Sequence, residues 1–480
     1  METSNPGMEI FPVAFGHEHE TGQISGEIGN LFENDNFASN LDRYVPAQYK
    51  LTDQFLKTGF RVYPGGACLE ICTPECGSPK ELARYIHAGR MIVAESFENF
   101  LSSMSEKTDS VIEGRIQDRV VDSMGNRKGS HYNIGINNED EFPIDEDVIL
   151  NHQATRQFVT GSGYAGPGGL RYSQKIGGLS CVRRYDFVGS MIRTTNAEGT
   201  RRIEDRCADI NMSEWATWMH AGSLAMAVTI SRIPLKDELP SIKIGNHPIT
   251  EVAKFLNVVS LDNDGVLIPN EHSWIAVDFQ QKMAELFMDK VIFYADELPE
   301  DYYIIARELY KTCENFRHFI SGEVTFDEFA FNHDWAAKFS VLRRNINKDR
   351  SFGIQRQDTD SKSMATDMLY DATRYKFYEG QEISKVPGLA NKLKNRDLLS
   401  RMFSENDLIQ ALVKPPASTR AAMRSHLIEN YRHCIISVEW DRVCLEDKHK
   451  KPYVFEMPEV DRANFSSTDH TQLATLDQST

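Results

Sequence analysis

Hydrophobic and polar positions alternate most regularly near the start of the chain. In Ala14–Gly22, AFGHEHETG, a period of two sets Glu18 and Glu20 on one face of a strand and His17 and His19 on the other. Phe60–Tyr63 and Ala67–Cys72 read as two strand pieces joined at Pro64-Gly65-Gly66, a turn signal. Gly129–Ile136 predicts a further strand with His131 and Asn133 on one face. Ser78-Pro79-Lys80-Glu81 predicts a helix start: Ser78 caps, Pro79 takes the first helical position and Glu81 completes a capping box. That helix buries Leu82, Ile86 and Met91 or Ile92 and runs to about Phe100, while Ser102–Lys128 carries no readable pattern. The second half is mostly helical. A long helix spans Ser213 to Ile230; Phe279, Met283, Leu286 and Phe287 form one apolar stripe, and Ile305, Leu309, Cys313 and Phe316 another, both of the kind that builds a core. Gln23–Gln54 is polar and weakly periodic, a long excursion, and Glu139–Asp147 reads as a solvated acidic loop.

Charge narrows the partners. A chain of 480 residues with net charge −17 has no reason to seek a duplex nucleic acid or an anionic membrane. Length predicts two or three structural units. Eight cysteines in so long a chain do not make a disulfide framework, and no leader precedes them. Cys68, Cys72 and Cys76 are spaced by four, not as a Cys-x-x-Cys pair. The longest apolar run, Ala221–Ile230, is too short to span a bilayer. These features predict a cytoplasmic, reduced protein.

The candidate chemistry is carboxylate-rich. Glu18 and Glu20, about 7 Å apart on one side of a strand, repel unless a cation lies between them or water solvates them. Mg²⁺ is the ordinary such cation in phosphate chemistry. Glu70, inside an apolar strand, is a second candidate carboxylate. Thr160–Gly169, TGSGYAGPGG, is a glycine loop without the Gly-Lys-Ser/Thr ending of a Walker A motif. Arg201-Arg202-Ile203-Glu204-Asp205, followed by Asp209 and Asn211 before a helix, suits a nucleotide phosphate with its metal, or else a surface ion-pair cluster. Arg420 and Arg424, four apart on a helix opened by Pro415-Pro416, share one face and either clamp an anion or form a solvated basic surface.

The ordered set of these segments resembles the Pup ligase and depupylase family. The resemblance rests on Gly16-His17-Glu18-His19-Glu20-Thr21-Gly22, Gly59-Phe60-Arg61-Val62-Tyr63 with Pro74-Glu75-Cys76, Ser130-His131-Tyr132-Asn133, Thr160–Gly163, Ser173-Gln174, Arg201–Glu204 with Ala208–Glu214, Asp334–Lys338 and Pro415–Arg424. It implies an α+β, glutamine-synthetase-like fold: an antiparallel sheet cradle packed by helices, with a smaller C-terminal domain. The implied division is a catalytic domain over 9–400, a small domain over 401–460, and tails at 1–8 and 461–480. It also implies ATP and Mg²⁺, with Glu18, Glu20, Glu70 and His131 as metal positions and Arg202, Asn211, Arg420 and Arg424 as nucleotide or substrate contacts. The implied reaction is amide bond formation between a carboxylate and an amine through an acyl-phosphate, with a Pup-like protein among the partners. Pup is acidic, so a chain at −17 needs a local basic groove to hold it.

Three positions depart from the family pattern. Gly65 stands where the family carries its catalytic Asp, Tyr132 where it carries Glu, and Glu204 where it carries His. Glycine neither deprotonates an amine nor acts as a nucleophile. Glu204 keeps a metal-ligating group, and Tyr132 does not replace a carboxylate. Glu75 and Asp209 are the carboxylates that could stand in for the missing Asp. The alternatives to a ligase are a depupylase-like amide hydrolase and a nucleotide-binding protein that does no chemistry.

Overall fold

The structure, a computed structural model, describes residues 10–20, 42–46, 54–65, 68–108, 112–120, 128–137, 142–166, 169–177, 192–194, 200–261, 267–295, 298–351, 369–370, 372–377, 384–447, 449–457 and scattered positions from 461 to 476. Of the polar stretch Gln23–Gln54, only 42–46 and Gln54 fall among these residues.

The alternating segment at the start forms β1, Ala14–Glu20. The next two strands, β2 (Arg61–Gly65) and β3 (Cys68–Cys72), make an antiparallel hairpin. Pro64 pairs with Leu69 and Gly65 with Cys68, so both belong to the strand and not to the turn expected there. An edge strand tolerates the missing proline N–H, and β2 is the edge. β4 (Ile112–Gln117) pairs with Ala372–Phe377 in a separate three-stranded sheet, and β5 is Ser130–Asn137. β6 (Tyr164–Gly166) and β7 (Gly169–Arg171) turn the glycine loop into a short hairpin. β8 (Ile192–Thr194) and β9 (Thr200–Asp205) complete the main sheet. Its six strands run β2-β3-β1-β5-β9-β8, every pair antiparallel.

One face of that sheet lies on helices. Val62, Leu69, Ile71, Ile134, Ile136 and Ile203 join the main core with Ile86, Phe97 and Met219. The helix Pro79–Thr108 outruns its expected end near Phe100. Ser78 Oγ accepts the Glu81 N–H at 3.1 Å, while Glu81 reaches back to the N–H of Gly77, one residue earlier than the usual capping box. Beneath lies Glu214–Ser231, capped by Ser213 at 3.2 Å and buried over its whole length. A helix that is apolar all round belongs in a core. Among the described residues no helix is long and apolar enough to cross a membrane. The acidic run is not all loop: Asp145 caps the helix Glu146–Thr155, whose first turn carries Glu146 and Asp147, where negative charge suits the helix dipole.

A second, smaller core forms where Arg420–Asn430 packs on the sheet Ile435–Val438, Arg442–Glu446 and Pro452–Glu456. Phe403, Ala411 and Leu412 belong to the main core, which therefore extends past residue 401. Leu473 and Leu476, in the segment expected to be a tail, are buried in the smaller one.

Candidate active site

Period two decides what the other face of the main sheet displays. Glu18 lies opposite both His131 on β5 and Cys72 on β3, Glu20 opposite Glu70, Glu70 opposite Tyr63, and Asn133 opposite Glu204. All stand on the face turned away from the helices. There, one ligand atom each from Glu18, His131 and Glu204 lies within 4.8 Å of the other two. His131 Nδ1 is 3.4 Å from Glu18 Oε2 and 3.7 Å from Glu204 Oε1. A small divalent cation with oxygen ligands at about 2 Å needs neighbouring donors roughly 3 Å apart, so the set fits such an ion with little movement.

The unmet valences point the same way. Glu204 is 3 % exposed, yet its Oε2 has no hydrogen-bond donor. Arg202 Nη2 stands 3.9 Å from that oxygen and Arg206 Nε 3.7 Å from Oε1, and the Asn133 Oδ1 is also without a donor. A buried carboxylate oxygen in that state is costly unless something positive meets it. Burial pushes the Glu18 carboxyl up, but the hydrogen bond with His131 and the charge of Arg202 outweigh it and hold it below its usual value. Glu70 goes the other way. Its burial raises the carboxyl, a hydrogen bond from Tyr63 opposes, and the charges of Glu18 and Glu20 raise it further. Gly129 allows Glu20 to come in: a Cβ there would sit 2.6 Å from Glu20 Oε1 and 2.8 Å from His131 Nε2. The structure thus brings Glu18, His131 and Glu204 into one cluster, with Glu20, Glu70 and Arg202 beside it.

Gly65 lies on this same face, in line with Tyr63, and offers no side chain to it. Tyr132 does not, since it alternates with His131 and points into the buried layer. The residue there is not a ligand lost from the cluster. Cys72, on the open face, lies 3.8 Å from the Tyr63 hydroxyl, and burial pushes its thiol well up.

Each strand that carries a ligand also carries a polar residue beneath it. His17 Nε2 meets Ser130 Oγ at 3.0 Å, and Ser130 reaches the Asp209 carbonyl. His19 is 3.2 Å from Asp118. Asp205, next to Glu204, is 2.9 Å from His220 Nε2. Burial, then the Arg156 charge, lowers His220 to about 4, while the Asp205 carboxyl, pushed up by burial, is pulled below its usual value by His220 and Arg156. This buried layer was not foreseen, although the alternation that aims Glu18 and Glu204 outward aims His17, His19 and Asp205 inward.

Five expected residues, Asp209, Asn211, Arg420, Arg424 and Glu75, lie elsewhere. Asp209 is buried and accepts from the N–H groups of Ser162, Gln174 and Lys175 and from the Ser173 hydroxyl. It organises the glycine loop and has no freedom to take a proton from a substrate. Gly163 has φ +74°, its carbonyl accepts from Lys338 Nζ at 2.8 Å, and a Cβ would meet the Trp335 backbone at 2.8 Å. Its glycine is therefore required by packing. Asn211 is buried and donates to the Thr160 carbonyl. Arg420 and Arg424 face inward, not toward a solvated groove. Arg420 Nε lies 2.8 Å from Glu75 Oε1, and Arg424 Nη1 and Nη2 lie 3.1 and 2.5 Å from its two oxygens. Burial opposes the charge on Glu75, but the two guanidinium groups hold its pKa at about 2. Glu75 and the two arginines join the smaller core to the main sheet, apart from the ligand cluster.

Comparison with known proteins agrees with this architecture. A family model described as Pup-ligase protein matches residues 27–444. The Pup–protein ligase of Acidimicrobium ferrooxidans is 24 % identical over 479 residues, which covers 93 % of this chain and 97 % of that one. The Pup deamidase/depupylase of Mycolicibacterium smegmatis is 20 % identical over 414 residues, 82 % of this chain and 75 % of its own. Among solved structures, the complex between the prokaryotic ubiquitin-like protein Pup and its ligase PafA superposes with a TM-score of 0.72 at 20 % identity, over 98 % of this chain and 92 % of that chain. PafA in complex with ADP gives 0.66 at 20 % identity, over 92 % and 94 %.

Proposed function

Because the chain belongs to the Pup-ligase family, we propose that it is an ATP- and Mg²⁺-dependent carboxylate–amine ligase. One observation carries the reading: Glu18, His131 and Glu204 converge on the open face of the sheet while a buried oxygen of Glu204 has no donor. Glu18, His131 and Glu204 would hold a metal ion, with Glu20 and Glu70 available to a second ion or to waters. A Mg²⁺ ion held by these residues would supply positive charge for the phosphoryl group in transfer. Arg202, 3.4 Å from Glu18, offers a guanidinium to phosphate oxygens, a planar donor suited to that shape. The product is an amide formed when an amine displaces phosphate from an activated carboxylate. A Pup-like protein as the carboxylate donor is the partner we infer, supported by the likeness to ligases of Pup.

Gly65 favours a second reading, nucleotide binding without transfer, because no side chain at that position can take a proton from the amine. ³¹P NMR of the protein with Mg·ATP separates the two. A ligase releases ADP and phosphate only when a glutamate-ended peptide pool and an amine are both present. Intact ATP throughout, with binding evident from line broadening, supports the second reading and sinks the first. A depupylase-like hydrolase instead cleaves an isopeptide with nucleotide at catalytic amounts. Gly65→Asp is expected to create or raise amine-dependent turnover if the missing base is all that limits the reaction.

A further inference from the structure

We propose that His220 is a positioning residue for the metal centre, fixing Glu204 through Asp205 and tying it to the glycine loop through Thr160. The inference rests on the metal reading given above. Asp205 follows Glu204 in β9, so the two side chains leave the same stretch of backbone on opposite faces. Holding Asp205 therefore holds the backbone from which Glu204 projects. His220 is a suitable anchor, since it sits in the middle of the fully buried helix Glu214–Ser231 and is itself 0 % exposed.

The hydrogen bonds close into a ring whose two arms both run from Arg156, which only donates, to Asp205, which only accepts. Asp205 Oδ1 accepts the Cys207 N–H at 2.8 Å, and Oδ2 faces His220 Nε2 at 2.9 Å. A carboxylate only accepts, so Nε2 carries the proton and Nδ1 is left as an acceptor. The Thr160 hydroxyl, 3.3 Å away, donates to Nδ1 and in turn accepts from Arg156 Nη1 at 3.0 Å. Arg156 Nη2 donates to the Cys207 carbonyl at 2.8 Å, which returns the ring to its start. Such a fully satisfied buried network is rigid, and removal of one member leaves others unpaired.

His220 also touches the neighbour of a second ligand. The Tyr132 ring stacks on it at 4.2 Å, and Tyr132 precedes Asn133 and follows His131 on β5. Tyr132 meets His17, the neighbour of Glu18, edge-on at 4.6 Å. One imidazole thus supports Glu204 through Asp205, His131 through Tyr132, and Glu18 through Tyr132 and His17. At the position where the family resemblance expects a carboxylate, the tyrosine supplies this contact.

The test uses Mn²⁺ alone as probe, titrated by calorimetry into the folded, nucleotide-free protein, with thermal unfolding measured on every variant. Wild type is expected to bind, and Glu18→Ala to lose binding. Either result going the other way overturns the metal reading, and this inference falls with it. Given that control, His220→Leu is expected to weaken Mn²⁺ binding by about 10–100-fold. His220→Gln, whose amide keeps one donor and one acceptor, should recover part of the loss. Thr160→Val, which removes the hydroxyl between Arg156 and His220 but leaves the His220–Asp205 contact, should cost less than His220→Leu and serves if the leucine variant does not fold. Wild-type affinity in His220→Leu, or equal losses in the leucine and glutamine variants that merely follow their melting temperatures, overturns the proposal.

Discussion

Two carboxylates in this chain end in opposite electrostatic states. Glu75 is nearly buried and met by three guanidinium contacts, and its pKa falls to about 2. Glu204 is more fully removed from water, yet one of its oxygens meets no donor. The first arrangement is complete and has nothing left to offer a ligand. The second has its cations, His131, Arg206 and Arg202, only at 3.7–3.9 Å, and keeps one oxygen without a donor and available to a ligand. In the sequence Glu204 stands among Arg201, Arg202 and Arg206 while Glu75 has no arginine beside it, and the difference between them lies in what the fold bonds to each.

The largest expected effect breaks the complete arrangement. Glu75→Ala strands two buried guanidinium groups and should cost about 3–5 kcal/mol in urea unfolding. Affinity for Mn²⁺ in the protein that remains folded should stay unchanged. The pH dependence follows from the same pair. With a folded pKa of about 2 against an ordinary 4.5, Glu75 contributes its stability in full above pH 4.5 and loses it as pH falls toward 2. The difference is worth about 3 kcal/mol at neutral pH. Acid unfolding of Glu75→Gln should lack that component of its slope between pH 4.5 and 2. An unaltered slope would mean that the ion pair does not hold the two cores together.

The incomplete arrangement should respond in reverse. Glu204→Gln removes a buried charge whose cationic neighbours lie only at 3.7–3.9 Å, so the change in unfolding free energy without metal should stay within about 1 kcal/mol. Mn²⁺ affinity should fall by about 10–100-fold or more, since a charged ligand is gone. A large stability loss with unchanged Mn²⁺ affinity would make Glu204 a structural carboxylate like Glu75.

How much of this was readable follows from the range of the interactions. Alternation within one strand is local, so the outward aim of Glu18 and Glu20 and the shared face of His131 and Asn133 stand in the sequence. The inward aim of Tyr132 stood there too, because a residue between two outward ones must face the core. The fate of Arg420 and Arg424 did not. Their partner Glu75 lies 345 and 349 residues away, and helical spacing predicts a shared face without saying what covers it. Asp209 is a similar case: its four donors come from Ser162 and from Ser173–Lys175 at a short helix start, up to 47 residues earlier, which only the fold assembles. The antiparallel sheet on helices that the family resemblance implied is the architecture observed. The extent of the main core past residue 401 was not readable, because Phe403, Ala411 and Leu412 are recruited by contacts with distant elements.

The smallest expected effect sharpens the contrast inside the site itself. Gly129 sits where a methyl group would press on Glu20 Oε1 at 2.6 Å and His131 Nε2 at 2.8 Å. Both are ends of side chains and can shift, so Gly129→Ala should cost less than about 1 kcal/mol of stability. The shift must nevertheless move His131, which Glu18 and Glu204 share, or push Glu20 away from it. A several-fold loss of Mn²⁺ affinity is the expected outcome, smaller than for Glu204→Gln because no ligand is removed. Combining Gly129→Ala with Glu20→Ala separates the two routes. If the loss comes from crowding between Glu20 and His131, shortening Glu20 relieves it and the double variant binds better than Gly129→Ala alone. If the double variant binds worse, Glu20 contributes to the ion directly, and the centre extends from β5 and β9 across β1 to the strand pair that carries Glu70.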